Sequence, residues 1–377
     1  MNEPEVIVPG RANGEGMIIR YRTRGGTEVF GLPLPNIHGN QSWDLGPTWC
    51  YLVTGPKTIL IDAGRMGNIG ILERHLRTIG KGFAGIDAVI VTHGHEDHDG
   101  QLAEVIAESG AELWAHPIYR DLISYHPDVT EGAPHPEYPG SCRACTMPFT
   151  YVQGNCLPYH RKRSGLRVDR IVREDSPMNG FGFLFTPGHS PDSMCITLEG
   201  EIVFTGDTVL PGITPHPSMA RTFEVNRLIL PEEYRGQNQL YGLMNYIRSL
   251  RKVGSSEYTA SLLAFPAHRL FWEGRFNLYR TKDRVREIIQ FHLDRFRAIL
   301  EIASGGPVSI EYICERHFTA AQLEGFGRLL ARNEVMAHLE VLKSYGDVTW
   351  DGRPEGSVQS SGSFRTLEAI ADFMPPL

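Results

Sequence analysis

The stretch VTHGHEDHDG, residues 91–100, places three histidines and two aspartates within ten residues, directly after the apolar run AVI. The apolar run predicts a buried strand, so the polar cluster begins where that strand ends. His93 and His95 are two residues apart and can point to one side of an extended segment, while Asp97 and His98 follow at the start of a predicted helix. Imidazole nitrogens and carboxylates bind Zn²⁺ and similar metals, and without a metal these groups would lack partners. The stretch therefore predicts a metal site.

Other ligand-type residues also follow predicted strands. The segment TPGHSPDS places His189 after an apolar run, FTGDT places Asp207 after a second, and FPAHR places His268 after a third. Active sites of open α/β folds collect at the carboxyl ends of strands. We therefore expect His189, Asp207 and His268 to join the histidines of residues 91–100.

The order of predicted elements indicates a layered α/β architecture, because strands alternate with a helix in the first half of the chain. A β-hairpin turning at Glu199 and Gly200 is predicted further along. The predicted strands and helix are TILIDAG (58–64), DAVIVTH (87–93), helical GQLAEVIAES (100–109), AELWAHP (111–117), GFLFTPGH (182–189), the hairpin SMCITLEGEIVFTGD (193–207) and SLLAFPAH (261–268).

These motifs resemble the metallo-β-lactamase fold superfamily. HGHEDHDG matches its H-x-H-x-D-H motif, and IDAG, TPGHS, FTGDT and FPAH resemble its other motifs in the same order, over residues 45–270. The resemblance implies an α/β fold of four layers, an αββα sandwich. It also implies a site in which one metal is bound by His93, His95 and His189, a second by Asp97, His98 and His268, and both by a bridging Asp207, with Asp62 holding a ligand loop.

The resemblance implies a dinuclear zinc metallohydrolase that cleaves an ester, thioester or lactone of a small acyl substrate by attack of metal-bound hydroxide. Asp97 is then the candidate catalytic residue, as a proton shuttle. One alternative is a phosphodiesterase or ribonuclease with the same metals, and a second is an iron-dependent sulfur dioxygenase. The diiron redox branch is not expected, because it carries Glu where this chain has His95. A net charge of −7 argues against a dedicated nucleic-acid binder.

The chain is predicted to divide at residue 275. Residues 1–275 form the predicted catalytic domain, with an insertion at about 118–178, and residues 276–377 form a helical domain. The latter begins with a long amphipathic helix (280–302). Three short helical segments follow, with a Gly-Asp turn in the last, and they resemble a helix-turn-helix with a wing: SIEYICERHF, QLEGFGRLLAR and EVMAHLEVLKSYGDVTW. We interpret this winged-helix-like tail as a packing or dimerisation module, so a homodimer is a further expectation.

Composition adds weaker expectations about location and partners. No secretory signal and no apolar run long enough for a membrane span are present in the sequence, which favours a cytoplasmic protein without membrane contact. The basic stretch HRKRSGLRVDR (160–170) could hold an anionic substrate, or it could be a solvated loop.

The predicted insertion contains a second group of ligand-type residues. Cys142 and Cys145 form a C-x2-C pair, and Cys156 and His160 follow with C-x3-H spacing. These four residues could close a structural zinc site, a third ion beside the catalytic pair. The alternative is three ordinary reduced cysteines, with His160 belonging to the basic stretch.

Overall fold

The computed structural model describes residues 3–36, 43–124, 157–256 and 259–375. Two mixed sheets dominate these residues. The first contains eight strands in chain order: β1 (Glu5–Val8), β2 (Ile18–Arg22), β3 (Glu28–Leu34), β4 (Thr48–Thr54), β5 (Ile59–Ile61), β6 (Ala88–Ile90), β7 (Glu112–Ala115) and β8 (Arg170–Ile171). Strands β1 to β5 pair antiparallel, and β5 to β8 pair parallel.

The second sheet contains four strands in the order β12-β11-β10-β9. Its members are β9 (Phe181–Phe185), β10 (Met194–Leu198), β11 (Ile202–Gly206) and β12 (Leu263–Pro266). Strands β9 and β11 both pair antiparallel with β10, and β12 pairs parallel with β11, so β9, β11 and β12 run in one direction. The turn between β10 and β11 has positive φ at Glu199 (53°) and Gly200 (63°), which confirms the predicted hairpin.

Helices occupy the connections and the C-terminal region. The described residues form α1 (Ile69–Thr78), α2 (Glu96–Asp99), α3 (Leu102–Ser109), α4 (Pro117–Ser124), α5 (Leu157–Arg163), α6 (Thr222–Asn226), α7 (Leu243–Ser255), α8 (Thr281–Ile302), α9 (Ile310–His317), α10 (Gly327–Ser344) and α11 (Arg365–Ala371). A two-stranded ribbon joins β13 (Phe271–Trp272) to β14 (Arg275–Phe276). A three-stranded sheet of the C-terminal region has the order β15-β17-β16, from β15 (Val308–Ser309), β16 (Val348–Thr349) and β17 (Ser357–Ser360).

The two main sheets pack face to face through an aromatic core. The ring of Tyr51 on β4 lies 5.0 Å from Phe204 on β11 and 5.7 Å from Phe265 on β12, measured between centroids. The Tyr51 hydroxyl is also satisfied, because it donates to the carbonyl of Pro266 at 2.6 Å. This cluster fixes the separation of the sheets and aligns their strand ends.

Helices cover the outer face of each sheet. Leu52 and Val89 of the first sheet are buried in one cluster with Leu72 of α1. On the other side, Val203 of the second sheet shares a cluster with Tyr246 of α7 and with residues of α8, α9 and α10. The α/β fold with two mixed sheets and a helical C-terminal region is therefore confirmed, with helices packed against the outer face of both sheets.

The C-terminal helices differ from the sequence-based prediction in number. The segments QLEGFGRLLAR and EVMAHLEVLKSYGDV were expected as two separate helices, but most of both form the single helix α10, Gly327–Ser344. No helix breaker separates the two segments, whereas Gly325 at φ 56° stops the helix from extending toward its N-terminal side. The domain boundary at 275, and the winged-helix description, stay predictions. Among the described residues, no helix is long and apolar enough to cross a membrane.

A buried histidine pair links α8 to α10 and makes stability depend on pH. His292 on α8 is fully buried, and its Nδ1 lies 3.1 Å from Nε2 of His338 on α10. Burial lowers the pKa of His292 to about 3, with Arg295 adding to this effect and Glu334 opposing it. The ring is therefore held neutral in the fold, while the same residue in the unfolded chain titrates near its ordinary pKa of about 6.5.

We predict that the free energy of unfolding falls faster with acid in the native chain than in a His292→Gln variant. The contribution of His292 is complete above about pH 6.5 and is lost as the pH falls toward 3, at up to ~1.4 kcal/mol per pH unit. Urea unfolding in the presence of EDTA, at pH 7.5 and at pH 5.5, measures the free energy of unfolding of both proteins. The value for the native chain minus the value for the variant should be smaller at pH 5.5 by ~1.4 kcal/mol. A difference that is the same at both pH values would contradict the prediction.

Candidate metal centre

The strand ends of both sheets meet at one edge of the molecule. In the second sheet, β9, β11 and β12 all end there because they run in one direction, as do β5 and β6 of the first sheet. Backbone hydrogen bonds join the two edges: the Met194 N–H donates to the Thr92 carbonyl at 2.9 Å, and the Trp49 N–H donates to the Ala267 carbonyl at 2.7 Å. Residues that directly follow these strands are thereby brought into one site.

All seven histidines and aspartates predicted as metal ligands lie in this site. They form three overlapping groups, and within each group the possible ligand atoms lie within 4.8 Å of one another. The groups are His93, His95 and His189; His93, His98 and Asp207; and Asp97, His98 and His268. Two members of the second group, His93 and Asp207, are more than 100 positions apart in the sequence.

Three of the histidines present Nε2 to the centre because Nδ1 is already bonded. Their Nδ1 partners are oxygens that only accept: Asp62 Oδ2 for His98 at 2.8 Å, the His216 carbonyl for His189 at 2.7 Å, and the Pro47 carbonyl for His268 at 3.4 Å. In each neutral ring the proton therefore resides on Nδ1, and Nε2 carries the lone pair. This is the arrangement found in metal-binding histidines.

The donor set fits a bound cation. Among the described residues, Nε2 of His98, His189 and His268, together with Oδ1 of Asp207, are buried without a hydrogen-bond partner. The carboxylate of Asp207 lies between them, 3.3–3.4 Å from the three ring nitrogens. Buried polar atoms without partners cost free energy, and a cation among them would satisfy all four. Nitrogen and carboxylate ligands suit zinc, iron or manganese.

The carboxylates of the centre favour positive charge on two of its rings. Burial lowers the pKa of His98, but the carboxylates around it, Asp207 first, raise that pKa well above its ordinary value. The pKa of His268 is raised in the same way, since Asp207 and Asp97 outweigh its burial. By contrast, burial and the neighbouring His189 lower the pKa of His95 to about 3. A bound cation would take the place of the protons on the first two rings.

Asp62 organises the loop that carries the first histidines. Its Oδ1 accepts the Thr92 N–H at 2.7 Å, and its Oδ2 accepts the Thr92 hydroxyl at 2.7 Å as well as Nδ1 of His98. Asp62 itself has φ 57°, a conformation that non-glycine residues rarely adopt. The ligand loop is thus bound to the end of β5 at three points. The resemblance implied this role for Asp62, whereas nothing in the sequence indicated Thr92.

Asp97 contacts both the centre and Asn36, a residue much earlier in the chain. Its Oδ2 lies 3.2 Å from Nε2 of His268 and accepts from Nδ2 of Asn36 at 3.0 Å. Burial raises the pKa of Asp97, but His98 and His268 lower it overall, so this carboxylate is ionised at neutral pH. Asn36 was not among the residues predicted from the sequence.

A cavity of about 290 Å³ opens directly beside the centre. His95 and His189 form one wall, and side chains of Tyr159, Asn226 and Tyr241 form others. His160 of the predicted structural zinc site also lines this cavity, on α5. Cys142, Cys145 and Cys156 lie outside the described residues, so that zinc site stays a prediction.

Three polar residues that follow Asp207 in the chain lie in different surroundings. Asn226 lines the cavity. Arg221 instead donates to the carbonyl of Gly352, in the C-terminal region. His216 bonds Glu334 through its ring and His189 through its carbonyl.

Comparison with known proteins agrees with this geometry. A family model described as "Metallo-beta-lactamase superfamily" matches residues 43–248, more than half of the chain. The chain belongs to the metallo-beta-lactamase superfamily. The resemblance inferred from the motifs is therefore confirmed.

Relatives within the superfamily are distant. The chain is 31% identical over 177 residues to "Lactamase-like protein nscB" of Aspergillus fumigatus, covering 46% of this chain and 41% of that protein. It is 26% identical over 224 residues to "Atrochrysone carboxyl ACP thioesterase" of the same organism, covering 59% and 50% of the two chains. It is 23% identical over 342 residues to "Probable metallo-hydrolase YqjP" of Bacillus subtilis, covering 82% and 92%. The match thus spans about two fifths of the nscB protein and nearly all of YqjP.

The fold of most of the chain is similar to that of solved structures. A metallo-beta-lactamase family protein of Thermus thermophilus, TTHA1429, superposes with a TM-score of 0.62 at 22% identity, covering 88% of this chain and 98% of its own. A beta-lactamase domain protein of Burkholderia ambifaria gives a TM-score of 0.61 at 17% identity, covering 91% and 94%. The superfamily fold and much of the C-terminal region are thus shared with known structures.

We predict that Gly188→Ala disrupts the centre, because Gly188 directly precedes His189 and has no room for a side chain. Its φ is 130°, and an added Cβ would lie 2.2 Å from the backbone nitrogen of Tyr246 on α7. The substitution should lower the free energy of unfolding by at least ~2 kcal/mol. Metal content after purification, measured by elemental analysis, should fall as well.

Gly70→Ala is the matched control, since no atom of the described residues lies within 4 Å of its added Cβ and its backbone is helical. That variant should keep its metal and change stability by no more than ~1 kcal/mol. Equal behaviour of the two variants would contradict the prediction.

Proposed function

We propose that the protein is a metal-dependent hydrolase with two zinc ions that cleaves an ester, thioester or lactone of a small acyl compound. His93, His95 and His189 would hold one ion, Asp97, His98 and His268 the other, and Asp207 would contact both. The observation that carries the proposal is the gathering of these seven side chains beside an open cavity, with buried ring nitrogens that have no hydrogen-bond partner within the described ranges.

The other roles in the proposed reaction belong to residues of the chain. When bound, zinc lowers the pKa of water and polarises a carbonyl, which makes hydrolysis possible near neutral pH. Asp97 is ionised and partly buried, and its Oδ2 faces the centre 3.2 Å from Nε2 of His268, so it is placed to pass on a proton released during the reaction. Asn36 and His268 fix the orientation of its Oδ2.

The cavity beside His95 and His189 is the proposed acyl-binding site. Its volume of about 290 Å³ is at the lower end of the range for small-molecule pockets. Tyr241 and Asn226 are buried in its wall, and the Asn226 amide donates to the Tyr241 hydroxyl at 3.3 Å. These groups can orient a carbonyl or hydroxyl of the substrate, while Leu122 supplies an apolar surface.

The basic stretch 160–170 supports an acyl substrate over RNA, because most of its charges are already paired. Arg163 is buried, donates to the carbonyl of Gly94 at 3.0 Å and lies 3.6 Å from Asp99. The other pairs are Lys162 with Glu104, Arg167 with Asp169, and Arg170 with Glu112. A surface for a phosphate backbone needs free cations, so this segment suits a structural role. The similarity to a protein named as an ACP thioesterase also favours an acyl thioester.

We also propose that α9, α10 and the strands β16 and β17 form a winged-helix-like unit that serves for packing. The strand β15 precedes α9, and the sheet order β15-β17-β16 places the last strand in the middle, as a wing hairpin would. Helix α10 buries ten residues, including Glu334 and His338, and is therefore occupied within the chain. A helix used in this way is not free to enter a nucleic-acid groove.

We predict two metal ions per chain in protein purified with zinc. Asp207→Asn should retain at most one ion, because it removes the charge between the three ring nitrogens, and its activity should fall by at least ~100-fold. Elemental analysis and native mass spectrometry measure the stoichiometry. Full occupancy and activity in Asp207→Asn would refute the assignment.

We predict turnover of at least one acyl thioester or lactone by the zinc-loaded protein. A panel of acyl thioesters, lactones and RNA separates the possibilities, with release of thiol or acid as the readout. Cleavage of RNA without acyl hydrolysis would replace the proposal with a ribonuclease. Oxygen consumption by iron-loaded protein with a persulfide would replace it with a sulfur dioxygenase.

We predict that Thr222→Phe, which fills the cavity from α6, raises KM for that substrate by ~10-fold, equivalent to about 1.4 kcal/mol. Metal content should not change, since Thr222 lines the cavity without belonging to the ligand groups. Thr78→Phe, on an exposed position at the end of α1, is the matched control. An unchanged KM in Thr222→Phe would show that substrate binds elsewhere.

A further inference from the structure

We propose that Glu334, on helix α10 of the C-terminal region, is a positioning residue for the metal ligand His189 and acts through His216. The inference rests on the proposed metal role of His189. It makes the C-terminal helices part of the construction of the centre, although they lie more than 100 residues from His189 in the chain.

The first step of this connection is the bond between His189 and His216. Nδ1 of His189 donates to the backbone carbonyl of His216 at 2.7 Å. The bond fixes both the tautomer and the rotation of the His189 ring, and so aims Nε2 at Asp207, 3.4 Å away. The position of that carbonyl therefore determines where the ligand nitrogen points.

The second step fixes His216 itself. Its Nδ1 lies 2.9 Å from Oε1 of Glu334, while the side chain of His216 is about one-third exposed. His216 sits in a loop without regular secondary structure, between β11 and α6. A loop of this kind has no strand or helix bonds of its own to hold the carbonyl in place, so the ring anchor matters.

The third step makes Glu334 a rigid anchor. Its side chain is 3% exposed, and its second oxygen, Oε2, accepts from Arg295 of α8 at 2.6 Å. Arg295 is in turn held by Nε2 of His317 at 3.1 Å and by the ring of Phe291. Burial raises the pKa of Glu334, but Arg295 and His216 lower it well below its usual value overall, so the carboxylate stays ionised. Each carboxylate oxygen thus has its own partner, one in the helical layer and one in the loop.

A second glutamate on the same helix holds the loop further along. Oε2 of Glu340 accepts the Ala220 N–H at 2.7 Å, and Oε1 accepts the Arg221 N–H at 3.3 Å. Between the two anchors, Ser218 donates from its N–H and its hydroxyl to the carbonyl of Gly188, at 2.8 and 2.7 Å. Helix α10 therefore holds both ends of a loop whose middle is bonded to the residue before His189.

The test measures metal affinity in the full-length protein, with His216→Ala, Glu334→Gln and the double variant. Zn²⁺ and Co²⁺ binding are titrated against a competing chelator, and cobalt absorption reports the ligand geometry of each ion. Each single variant should bind one of its two ions ~10-fold more weakly, the usual effect of losing a partner of a ligand. The double variant should equal the single ones within about twofold, because both changes break one connection.

Glu311→Gln is the matched control, since it breaks an exposed pair with Arg328 at the surface of the same region. It should leave affinity and cobalt spectrum unchanged. His216→Ala changes a partly exposed loop residue and keeps its backbone carbonyl, so it remains informative should Glu334→Gln fold poorly.

The outcomes are distinct from those that test the proposed function. Native protein that binds no metal would refute the metal site itself. Native protein that binds two ions, with unchanged affinity and spectrum in His216→Ala and Glu334→Gln, would refute only the positioning role. Losses that add in the double variant, or a lower melting temperature with unchanged affinity, would also refute it.

Discussion

The rest of the structure depends on one electrostatic constraint: buried ring nitrogens and a carboxylate oxygen face one another and have no hydrogen-bond partner in the part of the chain that the structure describes. Nε2 of His98, His189 and His268 all point to Asp207 at 3.3–3.4 Å. Such a cluster is costly unless protons or a cation lie within it. The sheets, turns and helices around the cluster hold these side chains in this orientation despite that cost.

Several independent devices hold the cluster in place. Asp62, in a rarely adopted backbone conformation, binds the loop of His93 and His98 to the end of β5. Gly188 lets the chain pass against α7 where no Cβ would fit, and so sets the start of the His189 turn. Each of these contacts involves the backbone or the Nδ1 atom of a histidine, and none involves Nε2, which faces the centre. Nε2 therefore stays available for a ligand bond while the orientation of its ring is fixed.

The sequence predicted those parts of the site that depend on short-range pattern. Apolar runs followed by His or Asp identified the strand ends correctly, because a buried strand must end where polar groups begin. The turn at Glu199 and Gly200 was predictable for a similar reason, since few residue pairs adopt positive φ together. Partners distant in sequence were not predictable: Glu334 and His216 are 118 positions apart, and neither lies in a motif. The burial of Arg163 was not predictable either, because a run of basic residues is typical of a solvated segment and the sequence does not show that the buried Asp99 lies beside it.

The family match and the contacts of the site extend over different parts of the chain. The family match covers residues 43–248, which include six of the seven proposed ligands and end before His268. His268 and Glu334 both lie beyond that segment, yet one faces Asp207 and the other holds the loop behind His189. The matched segment therefore supplies six of the seven proposed ligands, while we infer that the orientation of one of them, His189, is set by a helix that follows the segment. Because Ser218 of the loop between β11 and α6 and Thr222 at the start of α6 also line the cavity, helix α10 is placed to influence both the proposed metal geometry and the proposed substrate fit. On the proposed function, a change in the contact between helix α10 and this loop should alter both properties even if every proposed ligand is kept.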